Sequence, residues 1–76
     1  MQKVLSILQD IRPEFSFAES NDFIAEGMLD SFDVVTLVAE LDKAFSISIQ
    51  GTDIVPENFR SMESLRTLLQ QYGVNE

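Results

Sequence analysis

Residues 31–45 read SFDVVTLVAELDKAF, and this stretch decides the fold class. It contains neither Gly nor Pro, so it can form one continuous helix of about 22 Å. Its apolar residues recur at helical spacing and form a broad stripe that we expect to face a core: Val34, Leu37, Val38, Leu41, Ala44 and Phe45. Phe32, Val35 and Ala39 form an adjacent apolar strip, so the helix has more apolar surface than one core face requires.

The chain before this helix predicts a shorter helix and a long loop. Apolar residues recur at helical spacing up to Ile11, and Pro13 ends the pattern, so a first helix is predicted over residues 2–11. Residues 12–30 show no sustained period, and a loop of this length is often functional. A short helical turn would fit near Phe23. We expect six apolar side chains to attach this loop to the core: Phe15, Phe17, Phe23, Ile24, Met28 and Leu29.

The connection after the amphipathic helix predicts an extended piece and a very short helix. Residues 46–49 alternate polar and apolar side chains before Gly51, which is typical of an extended segment. Pro56 can begin a third helix that ends at about residue 59, with Thr52 or Asp53 capping this region.

The last segment predicts a fourth helix. Met, Leu and Tyr repeat at helical spacing over residues 62–72, with Ser61 as the N-cap and Gly73 as the stop. Four helices in a chain of 76 residues predict one all-α domain, residues 1–76, folded as a small four-helix bundle with a long first loop.

Negative charge is concentrated in the centre of the chain. Thirteen acidic and five basic residues give a net charge of −8. Residues 13–42 contain no base and these acids: Glu14, Glu19, Asp22, Glu26, Asp30, Asp33, Glu40 and Asp42. Such a field repels nucleic acid and anionic membranes and attracts basic protein surfaces. A solvated face that only aids solubility is the alternative.

The residue types that are missing exclude several kinds of site. Without His or Cys, a hydrolase or metalloenzyme would have to use carboxylates alone, so we expect no enzyme, no catalytic residue and no metal site. Residues 22–33 match an EF-hand loop at Gly27, but Ile24 occupies a ligand position and Asp33 replaces the bidentate Glu. The N-terminal residues mix polar and apolar types and predict neither a signal peptide nor a membrane span. We expect a monomeric cytoplasmic protein.

The most informative motif precedes the amphipathic helix directly: Gly27-Met28-Leu29-Asp30-Ser31-Phe32. The pattern G-x-L-D-S before a bulky apolar residue resembles the attachment motif of acyl, aminoacyl and peptidyl carrier proteins. Residues 56–65, PENFRSMESL, also resemble this family, especially its free-standing members, and with the helix lengths the resemblance covers nearly the whole chain.

The resemblance implies a covalent cofactor. In this family the serine corresponding to Ser31 carries 4′-phosphopantetheine through a phosphodiester, and the terminal thiol holds the substrate as a thioester. The residue corresponding to Asp30 helps a phosphopantetheinyl transferase to bind magnesium and to position the serine. The implied fold is the acyl carrier protein type. Because the marginal core of so small a domain can open at modest cost, the bundle interior between helices one, two and four could shelter a short acyl chain once helices two and three part.

The resemblance also implies partners that dock on the second helix. They are the transferase, an acyl or aminoacyl ligase or acyltransferase, and downstream biosynthetic enzymes with basic docking surfaces. The implied docking residues are Phe32, Asp33, Val35, Thr36, Ala39, Glu40 and Asp42. Thr36 stands where many members have glutamate, which indicates a partner set different from that of fatty acid synthesis.

Several alternatives remain open from the residues themselves. Ser31 also fits an ordinary helix N-cap, and Asp30 fits a favourable charge in the first turn. Phe32 and Val35 also fit the edge of the buried face. The Asp-Ser-Phe version of the motif is similar to the carrier that delivers D-alanine to teichoic acids. From a different class, a cofactor-free acidic helical module could bind a basic partner, and a carboxylate-based enzyme is a third option.

Overall fold

A computed structural model of the chain describes residues 1–75. All regular secondary structure in this range is helical. The four α-helices are α1 (Gln2–Ile11), α2 (Ser31–Phe45), α3 (Pro56–Phe59) and α4 (Met62–Gln71). Two short 3₁₀-helices lie in the connections, at Phe17–Glu19 and Gly51–Asp53. No β-strand occurs among these residues, so the predicted all-α class with four helices, a long first loop and a short third helix is confirmed.

One core joins all four helices and the first loop. The fully buried large side chains are Val4, Leu8, Phe17, Phe23, Leu37, Leu41, Phe59, Leu65, Leu68 and Leu69. Each buried Leu or Phe contributes about 1.5–3 kcal/mol relative to an exposed one, so these residues hold the bundle together. Within the predicted stripe of α2, Leu37, Val38 and Leu41 are buried in the middle of the helix. The remaining members, nearer its two ends, are half-buried: Val34, Ala44 and Phe45. Over residues 1–75 no helix combines the length and the apolar character needed to cross a membrane.

Aromatic packing attaches the first loop to this core, as the sequence predicts. The rings of Phe17 and Phe23 meet edge to face with their centroids 5.0 Å apart. Residues 23–27 form a turn, in which the Glu26 N–H donates to the Asp22 carbonyl (3.1 Å). Met28 and Leu29 are 5% and 3% exposed, so the end of the loop is fixed directly before α2.

The connection from α2 to α3 differs from the prediction at two points. Ser46 is not extended: it caps the C-terminus of α2 in the left-handed region (φ 55°, ψ 47°), and its N–H donates to the Asp42 carbonyl. Neither Thr52 nor Asp53 caps α3, because Val55 occupies its N-cap without a side-chain hydrogen bond. The Asp53 carboxylate instead accepts a hydrogen bond from the Tyr72 hydroxyl.

The ends of α4 agree with the sequence. The Ser61 side chain accepts a hydrogen bond from the Ser64 N–H (3.0 Å), which satisfies a backbone donor that the helix itself cannot pair. Gly73 follows the helix with φ 81°, a conformation that L side chains rarely adopt. The predicted N-cap and stop are therefore confirmed.

Candidate functional site

Ser31 is the first residue of α2, and its side chain is exposed. The N-cap is Asp30, which forms a reciprocal capping box with Asp33. The Asp30 carboxylate accepts from the Asp33 N–H (2.9 Å), and the Asp33 carboxylate accepts from the Asp30 N–H (3.2 Å). The interpretation of Ser31 as N-cap is thus wrong. A carboxylate suits the positive end of the helix better than a hydroxyl does, and the Ser31 Oγ is left out of the cap.

A turn before α2 sets which side chains face outward. Gly27 has φ 73°, where an L side chain would be strained. Beyond it, the N–H groups of Met28 and Leu29 both donate to the Phe23 carbonyl, at 2.8 and 3.2 Å. This turn buries Leu29 in the core, and the following residues, Asp30 and Ser31, are exposed.

Arg12, the residue after α1, joins both carboxylates of the capping box. Its Nε lies 2.8 Å from Asp33 Oδ2, and another guanidinium nitrogen lies 3.4 Å from Asp30 Oδ2. A third contact reaches Glu14 at 3.3 Å. The hydrogen bond to Asp33 is the largest cause that raises the pKa of Arg12, and the hydrogen bond from the Asp33 N–H is the largest cause that lowers the pKa of Asp30. The turn that carries Ser31 is therefore tied to the end of α1.

An apolar cleft of about 400 Å³ opens beside Ser31. It lies between the start of α2, the end of the first loop and the residues that lead into α3. Its lining residues are Ile24, Leu29, Asp30, Ser31, Val34, Val35, Ile54, Val55 and Pro56. The sequence predicts that a short acyl chain enters the bundle interior, between helices one, two and four, after helices two and three part; in this structure core side chains such as Leu8, Leu37 and Leu65 fill that interior. The cleft adjoins α2 and the residues that lead into α3, the two helices expected to part.

Five of the seven predicted docking residues form one exposed surface of α2. Phe32 and Val35 are the large exposed apolar side chains, with 81% and 65% of their surface accessible. Thr36 is exposed, although its hydroxyl donates to the Phe32 carbonyl (3.1 Å). We call this surface the α2 patch: Phe32, Val35, Thr36, Ala39 and Glu40. The idea that Phe32 and Val35 sit at the edge of the core does not fit their exposure.

The other two predicted docking residues have internal partners. The side chain of Asp33 is 14% exposed and contacts Arg12. Asp42 is half-buried, and its carboxylate accepts a hydrogen bond from the Ile49 N–H (3.0 Å), which fixes the connection after α2. Both acids therefore bind groups within the chain, and the α2 patch as defined does not include them.

Sequence reasoning missed Arg12 and the residues 54–56 of the cleft. One feature of the sequence pointed to Arg12: it is the base directly before the acidic stretch and could have been expected to pair with one of its acids. Which of the eight acids it contacts depends on how α1 packs against α2, and no local pattern encodes that packing.

Comparisons with known proteins add no relative: the chain matches no protein-family model, and neither a curated protein nor a solved structure is significantly similar to it.

Proposed function

We propose that this chain is a carrier protein of the acyl carrier type, modified at Ser31 with 4′-phosphopantetheine. The observation that carries the proposal is the exposed Ser31 at the first position of α2, between the capping carboxylate of Asp30 and an apolar cleft. An arm attached there has free access to solvent and an apolar surface beside it. The residues present fit such a group.

The attachment is a phosphoryl transfer from coenzyme A. The Ser31 Oγ forms a bond to the phosphorus next to the pantetheine, and the bond from that phosphorus to the bridging pyrophosphate oxygen breaks. The 3′,5′-adenosine diphosphate leaves, and the hydroxyl proton passes to a base of the transferase. When bound, the arm supplies a thiol that holds a substrate as a thioester. Asp30, whose side chain is 56% exposed, would contribute to the magnesium site of the transferase.

The α2 patch is the proposed docking surface for the transferase, the loading ligase or acyltransferase, and later enzymes. It combines a large apolar anchor, Phe32, with the exposed carboxylate of Glu40. Apolar anchors at the centre and charges at the rim are the usual division of labour at protein interfaces. A partner with Arg or Lys around an apolar depression would be complementary.

Intact-mass measurement tests the attachment. The purified protein is incubated with coenzyme A, magnesium and a broad-specificity phosphopantetheinyl transferase. We expect wild type to gain one phosphopantetheine and Ser31→Ala to gain none, while Ser6→Ala, an exposed serine on α1, gains one. Since Ser31 is not the cap, Ser31→Ala should remain folded. A folded wild type that gains nothing with several transferases would refute the proposal.

The exposure of Phe32 and Val35 also favours a second candidate, a cofactor-free module that binds a basic partner through the α2 patch. The two functions differ in their dependence on Ser31. A carrier loses all function with Ser31→Ala, whereas the module keeps its partner affinity.

The D-alanyl carrier remains an alternative for the cargo. Loading assays that compare D-alanine with short fatty acids, each with its own ligase, would separate it from an acyl carrier.

A further inference from the structure

We infer that Arg12 is a positioning residue for the modification of Ser31. This inference rests on the proposed function and goes beyond it, because Arg12 lies on another segment of the chain, 19 positions before Ser31. The geometry that carries it is the contact of one guanidinium with the carboxylates on both sides of Ser31, at Asp30 and Asp33.

Arg12 offsets the repulsion between the two carboxylates of the capping box. The box brings two carboxylates together at one helix end, and like charges at short range repel each other. The Asp33 Oδ2 accepts from both the Arg12 Nε (2.8 Å) and the Asp30 N–H (3.2 Å), so one oxygen serves the ion pair and the cap at once. Removing the guanidinium leaves the repulsion without its counter-charge, and the first turn of α2 should fray.

Fraying matters for chemistry because Ser31 lies inside that turn. A nucleophile held in one orientation reacts faster than the same group on a mobile segment. The exposed docking surface of α2 does not include Arg12, which is half-buried behind the turn. Loss of Arg12 should therefore lower kcat of the transferase for this carrier and leave its KM for the carrier unchanged.

The test measures transferase kinetics with the apo protein, a fluorescent coenzyme A and magnesium. We expect Arg12→Gln to lower kcat by up to about fivefold, the factor that corresponds to the whole stabilisation of about 1 kcal/mol by a helix cap, since Arg12 supports the cap and Asp30 itself stays in place. Arg12→Lys should recover at least half of the wild-type kcat, since it restores the positive charge without the planar fork. Hydrogen exchange of the Asp33 N–H provides a readout without the transferase, and it should become faster by a similar factor in Arg12→Gln.

Two matched controls separate positioning from general effects. Ser61→Ala removes the cap of α4 and should lower the urea midpoint of unfolding by an amount similar to Arg12→Gln, but it should leave kcat unchanged. Arg66→Gln makes the same change in net charge at an exposed position of α4 and should also leave kcat unchanged.

A double-mutant cycle with Asp33→Asn completes the test. If Arg12 acts through Asp33, the double variant should be no slower than Asp33→Asn alone. Three outcomes would each overturn the inference. They are an unchanged kcat in Arg12→Gln, a loss of kcat in Ser61→Ala equal to that in Arg12→Gln, and additive losses of kcat in the double-mutant cycle. If wild type itself is not modified, the proposed function fails. If wild type is modified and Arg12→Gln behaves like it, only the role of Arg12 fails.

Discussion

The substitution Phe32→Ala tests whether Phe32 binds partners, because it should weaken docking and leave the stability of the fold almost unchanged. The ring is 81% exposed, so its removal takes little packing from the folded chain. In contrast, Phe59 is fully buried, and a Phe→Ala change at such a site costs about 3–5 kcal/mol. We therefore expect Phe32→Ala to leave the free energy of unfolding within about 0.5 kcal/mol of wild type.

The exposed fraction sets the expected loss of affinity. Full burial of a Phe side chain contributes about 1.5–3 kcal/mol, and four fifths of that remains to be gained when a partner covers Phe32. This amounts to about 1.2–2.4 kcal/mol, or about a 7- to 60-fold increase in Kd.

Titration calorimetry with a phosphopantetheinyl transferase, in the absence of coenzyme A, measures this Kd, and urea unfolding measures the stability. Val35→Ala should give a smaller loss in the same direction, because it removes less apolar surface. Gln70→Ala, on the exposed side of α4, serves as the control and should change neither quantity. A Phe32→Ala variant that binds as wild type does, or that is strongly destabilised, would refute the assignment of this ring to docking.

Three further predictions concern titrating groups and charge. Tyr72→Phe removes the hydroxyl that donates to Asp53 and accepts from the Gln50 N–H. The variant should be less stable than wild type below pH 10, and the difference should disappear as the pH rises through the raised pKa of Tyr72. Amide exchange at Gln50 should be faster in the variant. Hydrogen bonding from the Ala25 N–H is the largest cause that lowers the pKa of Asp22, so Asp22→Asn should be less stable than wild type at pH 6, and the difference in urea midpoint should shrink below pH 3.8; a constant difference would contradict this. Glu40→Gln should raise the KM of the transferase about fivefold or less at low salt, with no difference from wild type in 0.5 M NaCl, where screening is strong; a difference that persists in salt would exclude a rim charge.

The sequence was sufficient for features that depend on neighbouring residues. The bounds of α1, α2 and α3 agree with the prediction, because the apolar period, the stop at Pro13 and the helix start at Pro56 are signals that act over one or two turns. Ser61 was identified as a cap for the same reason. The helical wheel placed Phe32 beside the core stripe but left open whether it was buried at the edge or exposed, and the structure shows it exposed.

Features that depend on how segments approach one another could not be predicted. Ser31 and Asp30 are both good capping residues, and the choice between them depends on the capping box with Asp33 and on Arg12, which arrives from α1. Likewise, the cleft forms only because residues 54–56 pack near the start of α2. Distances between such segments are set by the core and are not encoded in a local pattern.

In the acidic stretch of residues 13–42, the aspartates and the glutamates have different surroundings, and this difference bears on the proposed recognition of a basic partner. All four aspartates in it accept hydrogen bonds from backbone N–H groups: Asp22, Asp30, Asp33 and Asp42. A short carboxylate lies close enough to its own backbone to cap helices and turns, whereas a glutamate extends further into solvent. The four glutamates are exposed: Glu14, Glu19, Glu26 and Glu40. Asp30 and Asp33 therefore shape the Ser31 site, and Asp22 and Asp42 fix the loops before and after α2. The exposed glutamates are the acids that the proposed basic partner would meet. Glu40 alone among those glutamates lies on α2, so it is the acid by which charge recognition on the α2 patch is to be judged.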